Sequence, residues 1–190
     1  MINRVRQLRK ERLMTLEVLA ERAGVTKSYL SKVERGQSTP SIAVGVALAR
    51  ALDVHLDRLF VDSERLSDVT VTRAGERHPL TADGETGSHY EGIALQAGAK
   101  RMTPFMLYPP HDADRVPFRD HQGEEFLFVH EGRAELLLPS HAIALGPGDS
   151  VYFNATTPHK VRSLGESRAS VLLLVCGDEN APDGSRAHLP

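Results

Sequence analysis

Residues 16–36 constrain this chain more than any other stretch, because their pattern is that of two short helices joined by a tight turn. Gly24 lies between the two apolar patterns, and glycine ends a helix in a left-handed conformation without steric cost. Ala20 is small where the second helix must cross the first, and Leu30 and Val33 give the second helix an inner face. This spacing predicts helix-turn-helix geometry, in which the second helix enters the major groove of DNA.

The outward face of the second helix is basic and polar, with no carboxylate before Glu34. A helical hairpin inside some larger core is the alternative interpretation, but such hairpins seldom keep one face so basic. We expect base contacts from Lys27, Ser28 and Lys32, and phosphate contacts from side chains around them. The predicted DNA-binding residues are Thr15, Thr26, Lys27, Ser28, Tyr29, Ser31, Lys32, Arg35 and Ser38.

Residues 1–62 resemble the Xre-type, lambda-repressor-like DNA-binding domain, which implies a head of five helices and a double-stranded DNA operator. The resemblance also implies an ion pair between Arg9 and Glu34. Leu13 departs from the family, which usually has glycine at the end of the first helix. Thr39, followed by Pro40 at the first helical position, is expected to cap a later helix.

Charge divides the chain at the end of this head. Residues 1–62 carry a net charge of +4 and residues 63–190 a net charge of −6, which suits a protein that binds nucleic acid by one end. A single cysteine and the lack of a long apolar run predict a cytoplasmic protein with no membrane partner. We expect a linker at 63–67 and a flexible tail at 177–190.

From residue 68 onward the apolar period changes to 2, and nine short strand candidates are separated by turns containing Gly, Pro or Asp. The first candidate covers 68–74. Many short strands without a long helix predict an antiparallel sandwich or barrel over 68–176. The predicted fold class is therefore α+β and multidomain.

Two segments of this second domain carry potential metal ligands. Alternate side chains on a strand share a face, so Arg119, His121 and Glu125 are expected to point into one cavity. His159 comes from a different strand and completes a group of two imidazoles and one carboxylate. That group is the facial triad suited to non-haem iron(II), or to Mn, Ni or Zn. A hydrogen-bonded polar cluster without a metal is the alternative.

The segments resemble the cupin superfamily over roughly residues 68–176, which implies an all-β double-stranded β-helix, or jelly roll. Three of the four metal ligands of the family pattern remain, because Arg119 stands where the pattern has its first histidine. A guanidinium there repels a cation but can anchor an anion. Both a divalent metal (Zn, Fe, Ni or Mn) and a metal-free pocket stay open. The predicted effector-pocket residues are Arg119, Tyr90 and Tyr108.

The two resemblances together imply a transcriptional regulator rather than an enzyme. In that class the cupin domain senses a small-molecule effector and usually forms a homodimer. Two heads are needed because one recognition helix reads only a few base pairs. The alternative is a mononuclear non-haem iron oxygenase of the phosphonate-epoxidase type, which shares this two-domain plan. A metal-free cupin isomerase or storage protein is a third possibility.

Overall fold

The computed structural model describes residues 2–60, 69–80, 87–97 and 100–177. The predicted linker at 63–67, and the predicted tail beyond Gly177, lie outside these ranges. The α-helices are α1 Ile2–Glu11, α2 Leu16–Arg22, α3 Lys27–Glu34 and α4 Ile42–Ala51. The 3₁₀ helices are Leu56–Leu59, Ala74–Glu76 and Ala113–Arg115. The strands are β1 His78–Pro79, β2 His89–Gly92, β3 Met102–Tyr108, β4 Glu124–Glu131, β5 Arg133–Leu137, β6 Ala142–Leu145, β7 Ser150–Asn154, β8 Lys160–Leu164 and β9 Ser170–Cys176.

The head has four α-helices, and the predicted fifth helix is a single 3₁₀ turn at Leu56–Leu59. Gly24 adopts the expected left-handed conformation between α2 and α3, with φ of 65°. The predicted cap at Thr39 is wrong. Helix α4 starts after Ser41, whose hydroxyl accepts a hydrogen bond from the Val44 N–H at 3.3 Å. Pro40 therefore precedes the helix instead of starting it.

Leu13 ends α1 in the left-handed conformation that its family leaves to glycine, with φ of 54°. Its side chain is 93% exposed, so burial does not compensate for the Cβ clash, which costs about 1–2 kcal/mol. The Leu13 N–H still closes the helix end, donating to the Lys10 carbonyl at 2.9 Å. The departure from glycine thus leaves the shape of the helix end intact.

The implied ion pair between α1 and α3 is confirmed. The Arg9 guanidinium donates from Nε to Glu34 Oε1 at 2.7 Å and from Nη2 to Glu34 Oε2 at 2.9 Å. Its third nitrogen, Nη1, donates to the Met14 carbonyl at 2.9 Å. This two-pronged pairing fixes the C-terminal end of α3 against the first helix.

The second domain consists of two antiparallel sheets, as predicted. The larger has the order β1-β2-β3-β9-β4-β7 and the smaller the order β6-β5-β8. Buried side chains from both sheets, including Phe105, Leu127, Leu136 and Leu173, fill the space between them. The first strand candidate is wrong: residues 69–73 form no strand, and Val69 is exposed.

Head and barrel pack against each other. Phe60 of the head meets Phe105 of β3 edge to face, with ring centroids 6.3 Å apart. Lys100 Nζ lies 3.5 Å from Asp57 Oδ2, and both side chains are largely buried. The buried apolar side chains of head and barrel accordingly form one continuous cluster. None of the described helices combines the length and apolarity needed to cross a membrane.

Candidate functional site

The outer face of α3 is open to solvent where DNA reading was expected. Lys27, Ser28, Lys32 and Arg35 are exposed, whereas Tyr29, Ser31 and Ser38 are half-buried. The Lys27 ammonium pairs with Glu17 of α2, and both side chains are more than half exposed. A surface pair of this kind contributes little to stability. Lys27 can therefore exchange Glu17 for a phosphate or a base edge.

Thr15 and Thr26 cap the two helices of the motif. The Thr15 hydroxyl accepts from the Val18 N–H at 3.2 Å, and the Thr26 hydroxyl accepts from the Tyr29 N–H at 3.1 Å. Each hydroxyl keeps its own hydrogen, which can be donated to a phosphate oxygen, although Thr15 must first give up its hydrogen bond to the Glu17 carboxylate. Their capping role and their predicted DNA contact are thus compatible.

Inside the barrel, His121, Glu125 and His159 converge as predicted. His121 Nε2 lies 2.7 Å from Glu125 Oε1, and His159 Nε2 lies 3.3 Å from Glu125 Oε2. All three side chains are buried, and their potential ligand atoms lie within 4.8 Å of one another. Two imidazole nitrogens and a carboxylate at this spacing form a donor set that divalent transition metals accept.

The backbone fixes which nitrogen of each imidazole faces the carboxylate. His121 Nδ1 lies 3.0 Å from the Gln122 carbonyl, and His159 Nδ1 lies 2.8 Å from the Thr157 carbonyl. A carbonyl oxygen only accepts, so each Nδ1 carries hydrogen and each Nε2 faces Glu125, to which it donates when protonated. A metal that replaces the Nε2 proton would be met by the Nε2 lone pair. This is how metal-binding histidines are commonly oriented. The residues therefore fit a metal.

The same arrangement shifts the acid–base properties of the group. Burial raises the pKa of Glu125, but hydrogen bonds with His121 and His159 outweigh burial and hold that pKa below its usual value. Burial lowers the pKa of His159, but its bond to Glu125 outweighs this and raises that pKa. Burial and the negative charge of Glu125 both raise the pKa of the Tyr90 hydroxyl. The pocket therefore favours an ionised Glu125, whose negative charge holds a proton on His159 or attracts a metal cation.

These groups line one small cavity of about 70 Å³, together with Arg119 and Tyr90. Arg119 pairs through its backbone with His159 in both directions, at 3.0 and 2.9 Å, so the two side chains share a face. Tyr108 does not line this cavity, contrary to the prediction that it is an effector-pocket residue. It lies on the outer face of β3, where its hydroxyl donates to Glu91 at 3.0 Å. The register pairs Tyr90 with Leu107, and Tyr108 therefore points the other way.

Sequence reasoning missed one wall of the cavity. Ser41, Ile42 and Ala43, at the start of α4 in the head, line it opposite the barrel strands. No local pattern marks these residues as part of a pocket, because their contact depends on how the two domains pack. Their apolar spacing indicates only a helix with a buried face.

Comparison with known proteins identifies both parts of the chain. Residues 5–59 match the helix-turn-helix family model, and residues 104–176 match the cupin domain model. The regulator SinR of Bacillus subtilis is 36% identical over 95 residues, which cover 50% of this chain and 73% of SinR. The chain belongs to the Xre-type helix-turn-helix transcriptional regulators. This regulator carries a C-terminal cupin domain, and its DNA-binding role follows from the family.

A second relative and two solved structures extend along most of the regulator. SutR of Escherichia coli is 24% identical over 166 residues, covering 85% of this chain and 86% of SutR. A helix-turn-helix regulator from Vibrio cholerae has the same fold, with a TM-score of 0.68, 21% identity and coverage of 94% and 95%. The iron(II) form of HppE shares the fold at a TM-score of 0.50, 21% identity and coverage of 90% and 95%.

Proposed function

We propose that this regulator holds a divalent metal on His121, Glu125 and His159 and binds a small anionic effector in the same cavity. The observation that carries the proposal is the orientation of the two imidazoles, which present Nε2 to one ionised carboxylate. Bound metal would polarise an effector oxygen as a Lewis acid. Arg119, exposed and lining the same cavity, is suited to pair with the anionic group.

For the head, we propose that α3 lies in the major groove. Lys27, Ser28 and Lys32 then reach base edges, because they are exposed and lie on the outer face of the recognition helix. Thr15, Thr26, Tyr29, Ser31, Arg35 and Ser38 are the proposed phosphate contacts and supporting polar groups. Since the operator is chromosomal DNA, the regulator acts in the cytoplasm.

The proposed regulator is a homodimer joined through the outer face of the larger sheet. Phe126 and Phe128 of β4 stand beside Leu172 and Leu174 of β9 on that face, and Tyr152 of β7 extends it. The alternate residues of β9 point into the core, so Val171 and Val175 contribute nothing to this surface. An apolar sheet face of this kind suits a self-complementary two-fold interface.

Metal analysis and Arg119→His test the pocket. The substitution removes a repelling cation and supplies an imidazole beside His159, so we expect tighter Zn or Ni uptake and weaker binding of anionic effectors. Arg133→His, at an exposed barrel position, is the matched control and should change neither. Full metal content in His159→Ala would contradict the assigned ligands. Genome-wide footprinting of the tagged wild type then locates the operator and, through the neighbouring genes, indicates the effector class.

A second candidate function is a mononuclear iron oxygenase. It is favoured by one observation, namely that two imidazoles and one carboxylate converge, the ligand set that non-haem iron(II) oxygenases use. Oxygen uptake by the iron(II)-loaded protein with a hydroxyalkylphosphonate would support this candidate. Specific footprints without oxygen uptake would exclude it in favour of the regulator.

A further inference from the structure

The cavity is too small for most metabolites. Its volume is about 70 Å³, whereas small-molecule pockets usually measure about 300–1,000 Å³. A metal ion with water ligands fits this space, but an organic effector of several heavy atoms does not fit wholly inside it. Enclosing such an effector in the cavity therefore requires one wall to move.

The walls differ in how firmly they are held. Glu125, Leu127 and Leu173 lie on β4 and β9, which are hydrogen-bonded to strands on both sides. The opposite wall is Ser41–Ala43, which belongs to the head and has no strand ladder to the barrel. Apolar packing, the Phe60–Phe105 ring contact and the 3.5 Å Lys100–Asp57 pair attach the head to the barrel. Of the head wall and the wall formed by β4 and β9, the head wall is therefore the one that yields.

Displacement of Ser41–Ala43 is transmitted to the DNA-reading helix α3. Helix α4 packs against α2 and against the 3₁₀ turn at Leu56–Leu59, and α2 packs against α3. Close-packed helices transmit displacement instead of absorbing it. Moving Ser41–Ala43 therefore moves α3 with the rest of the head.

We propose that filling the cupin cavity displaces the start of α4 and so repositions the DNA-binding head of the same chain. This inference rests on the proposed effector function and supplies the route by which occupancy changes DNA affinity. Because binding couplings are reciprocal, operator DNA changes effector affinity by the same factor, typically about 5–150-fold. No contact between the effector and α3 is needed.

The test fills the cavity with a side chain, so no effector has to be known. Val161→Phe on β8 enlarges a cavity-lining residue and leaves every head residue unchanged. Val151→Phe on β7 is the matched control, since this half-buried edge-strand valine does not line the cavity. Using the strongest footprinted operator fragment, we expect Val161→Phe to change the Kd at least fivefold. Val151→Phe should stay within twofold.

Ala43→Trp fills the same cavity from the head side, so the proposal can still be tested if Val161→Phe does not fold. The wild-type chain contains no tryptophan, so the introduced indole is a unique fluorophore in the cavity wall. Its emission should shift when operator is added. Ala47→Trp, one turn further along α4 and outside the cavity lining, should show no shift.

The outcomes distinguish the coupling between cavity and head from the proposed effector binding on which it rests. Operator affinity within twofold of wild type in folded Val161→Phe and Ala43→Trp, with no emission shift, overturns the coupling but leaves effector binding standing. A wild type that holds no metal and shows no footprint overturns both. Helical circular dichroism of each variant establishes that it is folded.

Discussion

Breaking the Arg9–Glu34 pair should destabilise the head selectively. Arg9→Ala removes three hydrogen bonds from the guanidinium, two to Glu34 and one to the Met14 carbonyl. It leaves the Glu34 carboxylate buried, at 7% exposure, without its partner. The loss of these hydrogen-bond donors and the unpaired charge of Glu34 both lower the free energy of unfolding of the head.

The magnitude follows from burial. Removing one partner of a buried ion pair costs about 3–5 kcal/mol, and Arg9 is itself only 13% exposed. We expect about 3 kcal/mol, at the lower end because water can enter once the side chain is truncated. A domain of this size has only about 0.05–0.15 kcal/mol of stability per residue. The loss is therefore a large fraction of the stability of the head.

Urea unfolding followed by circular dichroism at 222 nm measures this loss. All four described α-helices lie in the head, so the helical signal reports on the head. Arg6→Ala, which removes an exposed arginine from the same helix, should change stability by less than about 0.5 kcal/mol. Operator affinity of Arg9→Ala should also fall, since the pair holds the end of α3.

A double-mutant cycle separates the ion pair from simple loss of packing. Glu34→Ala should destabilise the wild type by about 2–3 kcal/mol but be neutral or stabilising in Arg9→Ala, because it removes the stranded charge. Additive effects of the two substitutions, or a loss below about 1 kcal/mol for Arg9→Ala, would refute the reasoning.

Three further predictions concern DNA, assembly and pH. Lys27→Ala with Lys32→Ala should abolish specific operator binding, at about 1–3 kcal/mol of discrimination per base contact, and should lower the salt slope measured by anisotropy. Phe126→Glu should produce monomers in sedimentation and weaken operator binding, because it places charge in the proposed interface. In metal-free protein, the lowered pKa of Glu125 stabilises the barrel above about pH 4.5, and this is lost as pH falls through its folded pKa. The raised pKa of His159 stabilises it below about pH 6.5, and this is lost as pH rises through its folded pKa.

Each of these has a control in the same chain. Lys10→Ala, on α1 and exposed, should lower affinity far less than the α3 pair. Val69→Glu, at an exposed apolar position outside the strands of the larger sheet, should leave the dimer intact. His159→Gln should flatten the alkaline side of the stability profile measured by thermal unfolding. An unchanged profile would show that the pair with Glu125 contributes nothing.

Local sequence determined much of the head. Caps and turn glycines act within three or four residues, so Thr15, Thr26 and Gly24 set the ends of α2 and α3 without help from the rest of the chain. Within the barrel, the period of 2 predicted that His121 and Glu125 share a face and that Phe126 points away. The Arg9–Glu34 pair came from the family resemblance, since 25 residues separate its partners.

Tertiary structure decided what depends on partners distant in sequence. Alternation predicts which residues of a strand share a face, but pairing with a neighbour decides which face is buried, and Tyr108 points outward for that reason. Residues 69–73 alternate like a strand yet form none in the structure. Ser41–Ala43 form a wall of the barrel cavity only because head and barrel share one apolar core. Such contacts arise from the packing of whole domains, whose geometry no short stretch of sequence encodes.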